Sequence, residues 1–475
     1  MRPTYEELET KLQQAEARCQ QVEAELQRAR IELDRAIQKI AELEERLNRN
    51  SKNSSKPPSS DQKANTGGRQ SRERKGQRPG KARLLFPPTK IDKHVPCTRE
   101  SCPHCGSKDI RLSRQEAEVV QQAEIPEVRA TVTEYQLQKY ICRACGKRST
   151  AELPLGIPDS AFGPRFMGLV ATLTGVFHLA KRETVELIKG LFDIDMGLGS
   201  IPNIEARVAV ALDPVYQRIH DFVIGGEFCK YFDETTWRDD GKYHVVWVAS
   251  CDRAAFYRID PSRSMAAFRR LVGEGRNPKD LPAVTDRYSS YNLLGNRHQY
   301  CFAHLIRNFE KYAERKGQDG EIGRALRDHL RKVCHIHSDY REGKITETQR
   351  NSLLAPHRIE ILYCLVKGDV YGSNALCELC CRLLERFDKL WAFTKEPGME
   401  PTNNSAERDL RKLVLWRKKS YGTRSARGRQ FVERITTIAQ TIKKQTRAIL
   451  STIQQTMVNF CARAGPPPIF DHLLA

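Results

Sequence analysis

Three acidic residues, Asp233, Asp286 and Glu407, have the type and local context of ligands for a hard divalent cation. Asp233 and Asp286 each follow a short apolar run, so each is predicted at the end of a strand. Glu407 follows Asn403 and Asn404, either of which can cap a helix with Glu407 in its first turn. Carboxylates suit Mg²⁺ or Mn²⁺, and two such ions roughly 4 Å apart promote displacement at phosphorus. An acid in a first helical turn is also common because it complements the helix dipole.

Two C-x-x-C-G sequences form a second group of chemically competent residues. Cys102 and Cys105 belong to the first, and Cys142 and Cys145 belong to the second. Four thiolates presented by two tight turns can hold a tetrahedral Zn²⁺, and the glycines let the backbone fold under the metal. Because strand-like segments separate the two sequences, they predict a zinc ribbon rather than a redox C-x-x-C. These segments are residues 119–120 and 128–141.

The elements that must position the acids are short strands and one helix. Three strands, a helix and a fourth strand follow in the order of a ribonuclease-H-like α/β core, in which the first and fourth strands are neighbours. Asp233 and Asp286 would then meet at one edge of the sheet. A helical insertion at about 305–400 separates them from Glu407. The predicted strands are 228–233, 244–250, 255–259 and 283–286, and the predicted helix is 264–272.

The N-terminal segment predicts assembly with another helix. Residues 8–47 repeat apolar side chains at steps of four and three, which predicts a coiled coil and a homo-oligomer. A lone amphipathic helix that packs on its own chain is the alternative. Residues 51–83 carry ten basic and two acidic residues and few apolar ones, which predicts either a basic arm along DNA or a solvated linker.

Charge indicates a polyanionic partner. The chain has 79 Lys and Arg against 59 Asp and Glu, a formal charge of +20. Residues 162–212 predict three short helices, which fit either a helix-turn-helix or a plain spacer. No long apolar run suggests a membrane span, so we expect a cytoplasmic protein. The DNA-binding candidates near Glu407 are Arg408, Arg411, Trp416, Arg417, Lys418, Lys419 and Arg424.

Several motifs in a shared order make the resemblance specific. They are residues 53–61, the two C-x-x-C-G sequences, Asp233-Glu234-Thr235, Asp286 with Tyr288 and Tyr291, Cys301-x-x-His304-x-x-Arg307, and Asn403-Asn404-x-Ala406-Glu407-Arg408. Over nearly its whole length the chain resembles a TnpC-type transposase of the insertion-sequence family numbered sixty-six. Arg287 departs from the pattern, since the second acid is usually followed by Gly.

The resemblance implies a DDE triad made of Asp233, Asp286 and Glu407. It also implies that Cys301 and His304 belong to a C-x-x-H element after the second acid, with Arg307 nearby; a second zinc site or a structural role would fit this pair. Accessory proteins encoded by the same element and a bacterial, nucleoid-associated location follow from the same resemblance.

These observations predict a multidomain transposase that cuts element ends and joins them to target DNA with Mg²⁺ or Mn²⁺, and that contains structural Zn²⁺. The alternatives are an inactive or domesticated zinc-ribbon DNA-binding protein, and a ribonuclease-H-like nuclease without strand transfer. The expected domains are a coiled coil (1–50), a basic linker (51–93), a zinc ribbon (94–155), a helix-turn-helix-like region (156–222), the catalytic core (223–440) and a helical tail (441–475).

Overall fold

The computed structural model describes residues 16–33, 36, 39, 43, 85–113, 115–445 and 448–474, the last three without their side chains. The chain divides into two compact units. The larger unit contains the described residues of 1–62, 133–190 and 194–475, and the smaller contains those of 63–132 and 191–193. No helix among these residues is both long and apolar enough to cross a membrane.

The N-terminal helix, α1 (16–33), leaves its apolar seam uncovered. Val22, Leu26 and Leu33 are 56%, 58% and 60% exposed, so no described part of the chain packs on them. Exposed apolar side chains at this spacing are consistent with a partner helix, and the coiled coil stays a prediction. The rest of the predicted seam and the basic segment 51–83 lie largely outside the described residues.

A small hairpin presents the second C-x-x-C-G sequence. Its strands, β1 (Lys139–Ile141) and β2 (Arg148–Thr150), are antiparallel, and the turn between them contains Cys142 and Cys145. The prediction of strands at 119–120 and throughout 128–141 is wrong, because only the last three of those residues form a strand. Val120 and Val132 are 87% and 90% exposed, so neither of these apolar side chains is buried against a sheet.

A five-stranded sheet lies at the centre of the larger unit. Its strands are β3 (Lys230–Asp239), β4 (Lys242–Ser250), β5 (Ala255–Asp260), β6 (Ala283–Thr285) and β7 (His298–Tyr300). Their order in the sheet is β5-β4-β3-β6-β7. β3 pairs antiparallel with β4 and parallel with β6, which confirms that the first and fourth predicted strands are neighbours. β4 pairs antiparallel with β5, and β6 pairs parallel with β7.

Two details of this sheet differ from the sequence prediction. β3 does not end at Asp233 but continues to Asp239, because β4 pairs with it from Tyr231 to its last residue. β7 was not predicted, because His298, Gln299 and Tyr300 do not form an apolar run. The apolar run of β4 is buried on both faces, as expected of an interior strand.

Helices cover both faces of the sheet. The helix α5 (Met265–Val272) begins as predicted at Ser264, whose hydroxyl accepts a hydrogen bond from Ala267 N at 3.2 Å. Phe268 of α5 packs edge-on against Phe232 of β3. On the other face lie α10 (Asn404–Ser420), which contacts β3 and β4, and α11 (Ala426–Gln445), which contacts β5.

The predicted helix-turn-helix region is part of this packed unit. It consists of α2 (Pro164–Gly175), α3 (Lys181–Phe192) and α4 (Ser200–Gly225). α4 runs thirteen residues past the predicted end at 212, because it packs against α11 and β5 along its length. Glu205 in α4 is 7% exposed and pairs with Lys181 of α3 at 3.0 Å.

The insertion between the second and third acids is helical, as predicted. Its helices are α6 (Phe302–Ala313), α7 (Gly317–Arg341), α8 (Glu347–Tyr371) and α9 (Asn374–Leu384). They pack in sequence order, α6 on α7, α7 on α8 and α8 on α9, and two short 3₁₀ turns follow before α10. The predicted domain boundaries at 222 and 440 fall inside α4 and α11. The remaining helices are α12 (Ile449–Cys461) and α13 (Ile469–Leu474).

Candidate active site

The parallel pairing of β3 and β6 sets the positions of the first two acids. Lys230 pairs with Ala283 and Tyr231 pairs with Val284, an offset of 53 residues. The same offset sets Asp233 opposite Asp286. Asp286 directly follows the last residue of β6, so the two carboxylates lie at the end of this pairing, where β3 continues along β4 alone.

The start of α10 is fixed to β3 by Asn403. The Asn403 amide nitrogen Nδ2 donates to Phe232 O at 2.7 Å, and its backbone N donates to Cys301 Sγ at 3.1 Å. Asn403 occupies the N-cap position of α10, but its side chain makes no capping bond, so the predicted cap is wrong in its chemistry. The helix is held by the strand next to Asp233, and Glu407 follows in its first turn.

Burial and mutual repulsion dominate the electrostatics of the acids. Burial raises the pKa of Asp233 well above its ordinary value, and the carboxylates of Glu234, Asp286 and Glu407 raise that pKa further. A hydrogen bond from Glu234 N at 2.8 Å opposes this effect. Burial also raises the pKa of Asp286, against a hydrogen bond from Tyr288 N at 2.8 Å. Such a cluster is stabilised by a bound cation, because the cation favours the charged forms.

Glu407 groups with the C-x-x-H element, and among the described residues the carboxylates of Asp233, Asp286 and Glu407 do not all come within 4.8 Å of one another. Its Oε1 accepts a hydrogen bond from Arg307 Nη2 at 2.8 Å and is 3.6 Å from His304 Nδ1. Ligand atoms of Cys301, His304 and Glu407 lie within 4.8 Å of one another. Burial, with Arg307 and Arg287 nearby, lowers the pKa of His304 to about 4, so the imidazole is neutral at pH 7.

Glu234 was given no role by the sequence reasoning. Successive strand residues face opposite sides of a sheet, so Glu234 points away from Asp233, toward α5. Its side chain is 1% exposed and accepts hydrogen bonds from the Arg263 guanidinium, with Nε at 2.7 Å, and from the Tyr291 hydroxyl. Arg263 also stacks on Tyr288, 3.6 Å from the ring centre. A fully paired buried acid of this kind holds the loop after β6 in place.

The basic segment after Glu407 separates into two kinds of residue. Trp416 is 8% exposed and stacks on His178 with ring centres 4.5 Å apart, so its ring is in the core rather than open to a base. Arg417 donates to the carbonyl and hydroxyl of Thr236 and thereby fastens α10 to β3. The candidates that remain open to solvent are Arg408, Arg411, Lys418, Lys419 and Arg424.

The two C-x-x-C-G sequences adopt the same turn. Cys102 O accepts a hydrogen bond from Gly106 N at 2.9 Å, and Cys142 O accepts one from Gly146 N at 2.8 Å. Both glycines have positive φ, +74° and +69°. Backbone N–H groups within each turn lower the pKa of the leading thiol, Cys102 or Cys142. Each turn thus favours the thiolate form that binds zinc.

Comparisons with known proteins identify three matched regions. Residues 159–431, more than half of the chain, match the family model described as "Transposase IS66 family". Residues 99–146 match the "zinc-finger binding domain of transposase IS66", which supports a structural zinc. Residues 3–84 match a "Family of unknown function". No curated protein matches the chain.

Proposed function

The chain belongs to the IS66 transposase family, and we propose that it is a DDE transposase in which Asp233, Asp286 and Glu407 bind divalent metal ions at the ends of an insertion sequence. Its substrate would be DNA, bound by the zinc-finger domain and by the exposed cations of α10. The observation that carries the proposal is the convergence of three elements: β3 pairs with β6 in the register that leads to Asp233 and Asp286, and Asn403 at the start of α10 donates to Phe232 O at 2.7 Å.

The sheet order supports the same proposal. A ribonuclease-H-like core has its first strand flanked by the second and the fourth, and the sheet of this chain has that arrangement. The helical insertion α6–α9 stands between the second and third acids, where the sequence predicts it. These features agree with a catalytic core that the chain assembles from strand ends and one helix start.

The donor set fits a hard cation. The three carboxylates supply oxygen ligands, which Mg²⁺ and Mn²⁺ prefer. The buried Oδ1 of Asn403, beside the start of α10, finds no hydrogen-bond partner among the described residues. When bound, the metal ions would activate the attacking oxygen and stabilise the leaving oxygen at phosphorus. To bind a metal ion, Glu407 would either break its hydrogen bond to Arg307 or use its other carboxylate oxygen, because Oε1 is already bonded to that guanidinium.

The chain's own residues position and orient the DNA. Cleavage would form a bond from a water oxygen to phosphorus and break the bond to a 3′ oxygen, which leaves as a hydroxyl. That hydroxyl would then attack a target phosphodiester and displace another 3′ oxygen. Arg307, once Glu407 has turned to the metal, would be free to pair with a phosphate oxygen. Neither step requires a covalent bond between protein and DNA.

Cleavage and strand transfer with purified protein test this proposal. The full chain is mixed with a labelled duplex from the end of its element, target plasmid and Mg²⁺. We expect Asp233→Asn to bind the duplex but to give no cut or joined product. Asp240→Asn is the matched control, since Asp240 lies in the exposed turn after β3 and should cut normally. Cutting by Asp233→Asn at the wild-type rate would contradict the triad.

The bond between Glu407 and Arg307 favours one alternative, a DNA-binding member whose core does not cleave. In that case the wild-type chain would bind the duplex and leave it intact with either Mg²⁺ or Mn²⁺. Cleaved ends without any joined product would instead indicate a nuclease of the same fold.

A further inference from the structure

Arg287 is a partly buried cation that makes no direct ion pair with any described residue. It follows Asp286 directly, and no hydrogen bond or ion pair from the described residues reaches its guanidinium. Other arginines around the site are paired, Arg263 with Glu234 and Arg307 with Glu407. Burial lowers the pKa of Arg287 and the neighbouring Asp286 carboxylate opposes that effect, while the hydrogen-bond donors of the guanidinium stay unpaired within the described residues. Its environment therefore favours an anion from outside the chain.

A pocket of about 250 Å³ opens at Arg287. Its walls are α6, which contributes Asn308, Lys311 and Tyr312, and α9, which contributes Glu378 and Arg382. The lining holds three cations and one acid, and Glu378 is already paired with Arg382. The pocket thus has an excess of positive charge beside the carboxylate cluster.

We propose that this pocket binds a backbone phosphate of the DNA and fixes the course of the strand that passes Asp286. The inference rests on the proposed function for its choice of ligand. A guanidinium presents a planar fork that matches two phosphate oxygens, and the Asn308 amide and the Tyr312 hydroxyl can donate to the remaining oxygens. A metal ion is disfavoured in this pocket, since three of its polar groups are cationic.

A contact with a backbone phosphate positions the DNA but does not distinguish one base sequence from another. Arg287 lies next to one of the three acids, so a phosphate in the pocket would set the neighbouring phosphodiester against them. The same contact explains why a cation can directly follow an acidic metal ligand: the Arg287 guanidinium would bind the DNA phosphate and would not occupy the place of the metal ion. Arg287 is therefore a positioning residue.

Salt dependence of DNA binding gives the first test. The probe is a duplex from the element end, without divalent metal, so that binding is measured apart from cleavage. Loss of one phosphate contact should lower the slope of log K against log salt by about 0.9. We expect Arg287→Ala to show that loss and about tenfold weaker binding at low salt. Arg287→Lys, which keeps the charge, should retain the slope.

Arg269→Ala is the control, because Arg269 is an exposed cation on α5 that does not line the pocket. It should bind with the wild-type slope. A wild-type slope and affinity for Arg287→Ala would overturn the proposal.

A second test locates the phosphate. Replacing each phosphate in turn by a neutral methylphosphonate should weaken wild-type binding at one position that has no effect on Arg287→Ala. Identical profiles for the two proteins would overturn the pocket while leaving the transposase proposal untouched. A wild-type chain that does not bind the duplex at all would instead contradict the proposed function.

Discussion

Replacing Glu433 by Gln should stabilise the protein at alkaline pH and leave it nearly unchanged at acidic pH. Glu433 lies in α11 beneath the edge strand β5, where it accepts a hydrogen bond from Ile259 N at 2.6 Å. Burial raises the pKa of Glu433 to about 7, from the ordinary value of 4.5. The folded protein therefore prefers the neutral acid, which Gln imitates in shape.

The sign and size of the effect follow from proton linkage. Because the pKa is raised on folding, the stability contributed by neutral Glu433 is fully present below about pH 4.5 and is lost as the pH rises through about 7. Each pH unit of difference corresponds to about 1.4 kcal/mol. Above pH 8 the ionised side chain thus costs the folded state about 3 kcal/mol, and Glu433→Gln removes that cost.

Urea unfolding at two pH values measures the prediction. At pH 8.5 the free energy of unfolding of Glu433→Gln should exceed that of the wild type by about 2 to 3 kcal/mol, whereas at pH 4 the two should differ by less than about 0.5 kcal/mol. The exposed Glu321→Gln is the control and should change the free energy of unfolding by less than about 0.5 kcal/mol at either pH value. An equal difference between Glu433→Gln and wild type at both pH values would refute the reasoning.

Three further predictions concern packing and metal. Trp416→Ala should lower the free energy of unfolding by about 3 to 5 kcal/mol in urea titrations, as a buried ring is lost from α10; the exposed Tyr421→Ala should change it by less than about 0.5 kcal/mol. Glu234→Gln should cost about 1 to 2 kcal/mol in the same assay, because Arg263 loses its acid but is partly solvated. Cys142→Ser should lose the one zinc ion per chain that we expect from metal analysis of the wild type. A destabilisation of similar size in Tyr421→Ala and Trp416→Ala, or zinc retained by Cys142→Ser, would contradict the assignments.

The sequence was informative wherever apolar runs are bounded by acids or turns. β4, β5, β6 and α5 were predicted to within a residue or two, because burial on both faces or a serine cap marks each of them locally. The second half of β3 was missed because most of its residues are polar and are extended only by pairing with β4. The short β7 depends in the same way on its pairing with β6.

The side-chain partners in the site could not be read from spacing. Asn403 or Asn404 was expected to cap α10, and the Asn403 side chain instead bonds to Phe232, 171 residues earlier in the chain. Arg307 and Glu407 are 100 residues apart, and only the packing of α6 beside the start of α10 lets them meet. Trp416 was predicted to contact DNA from its basic surroundings, yet the neighbouring ring of His178 covers it. Contacts of this range depend on tertiary packing.

A diffraction experiment on crystals soaked with Mn²⁺ tests the central claim most directly. The anomalous signal locates the ion without reference to activity. We predict a peak ligated by carboxylate oxygens of Asp233 and Asp286, with Glu407 turned from Arg307 to complete the shell. No peak between Asp233 and Asp286, with Glu407 still bonded to Arg307, would contradict the account.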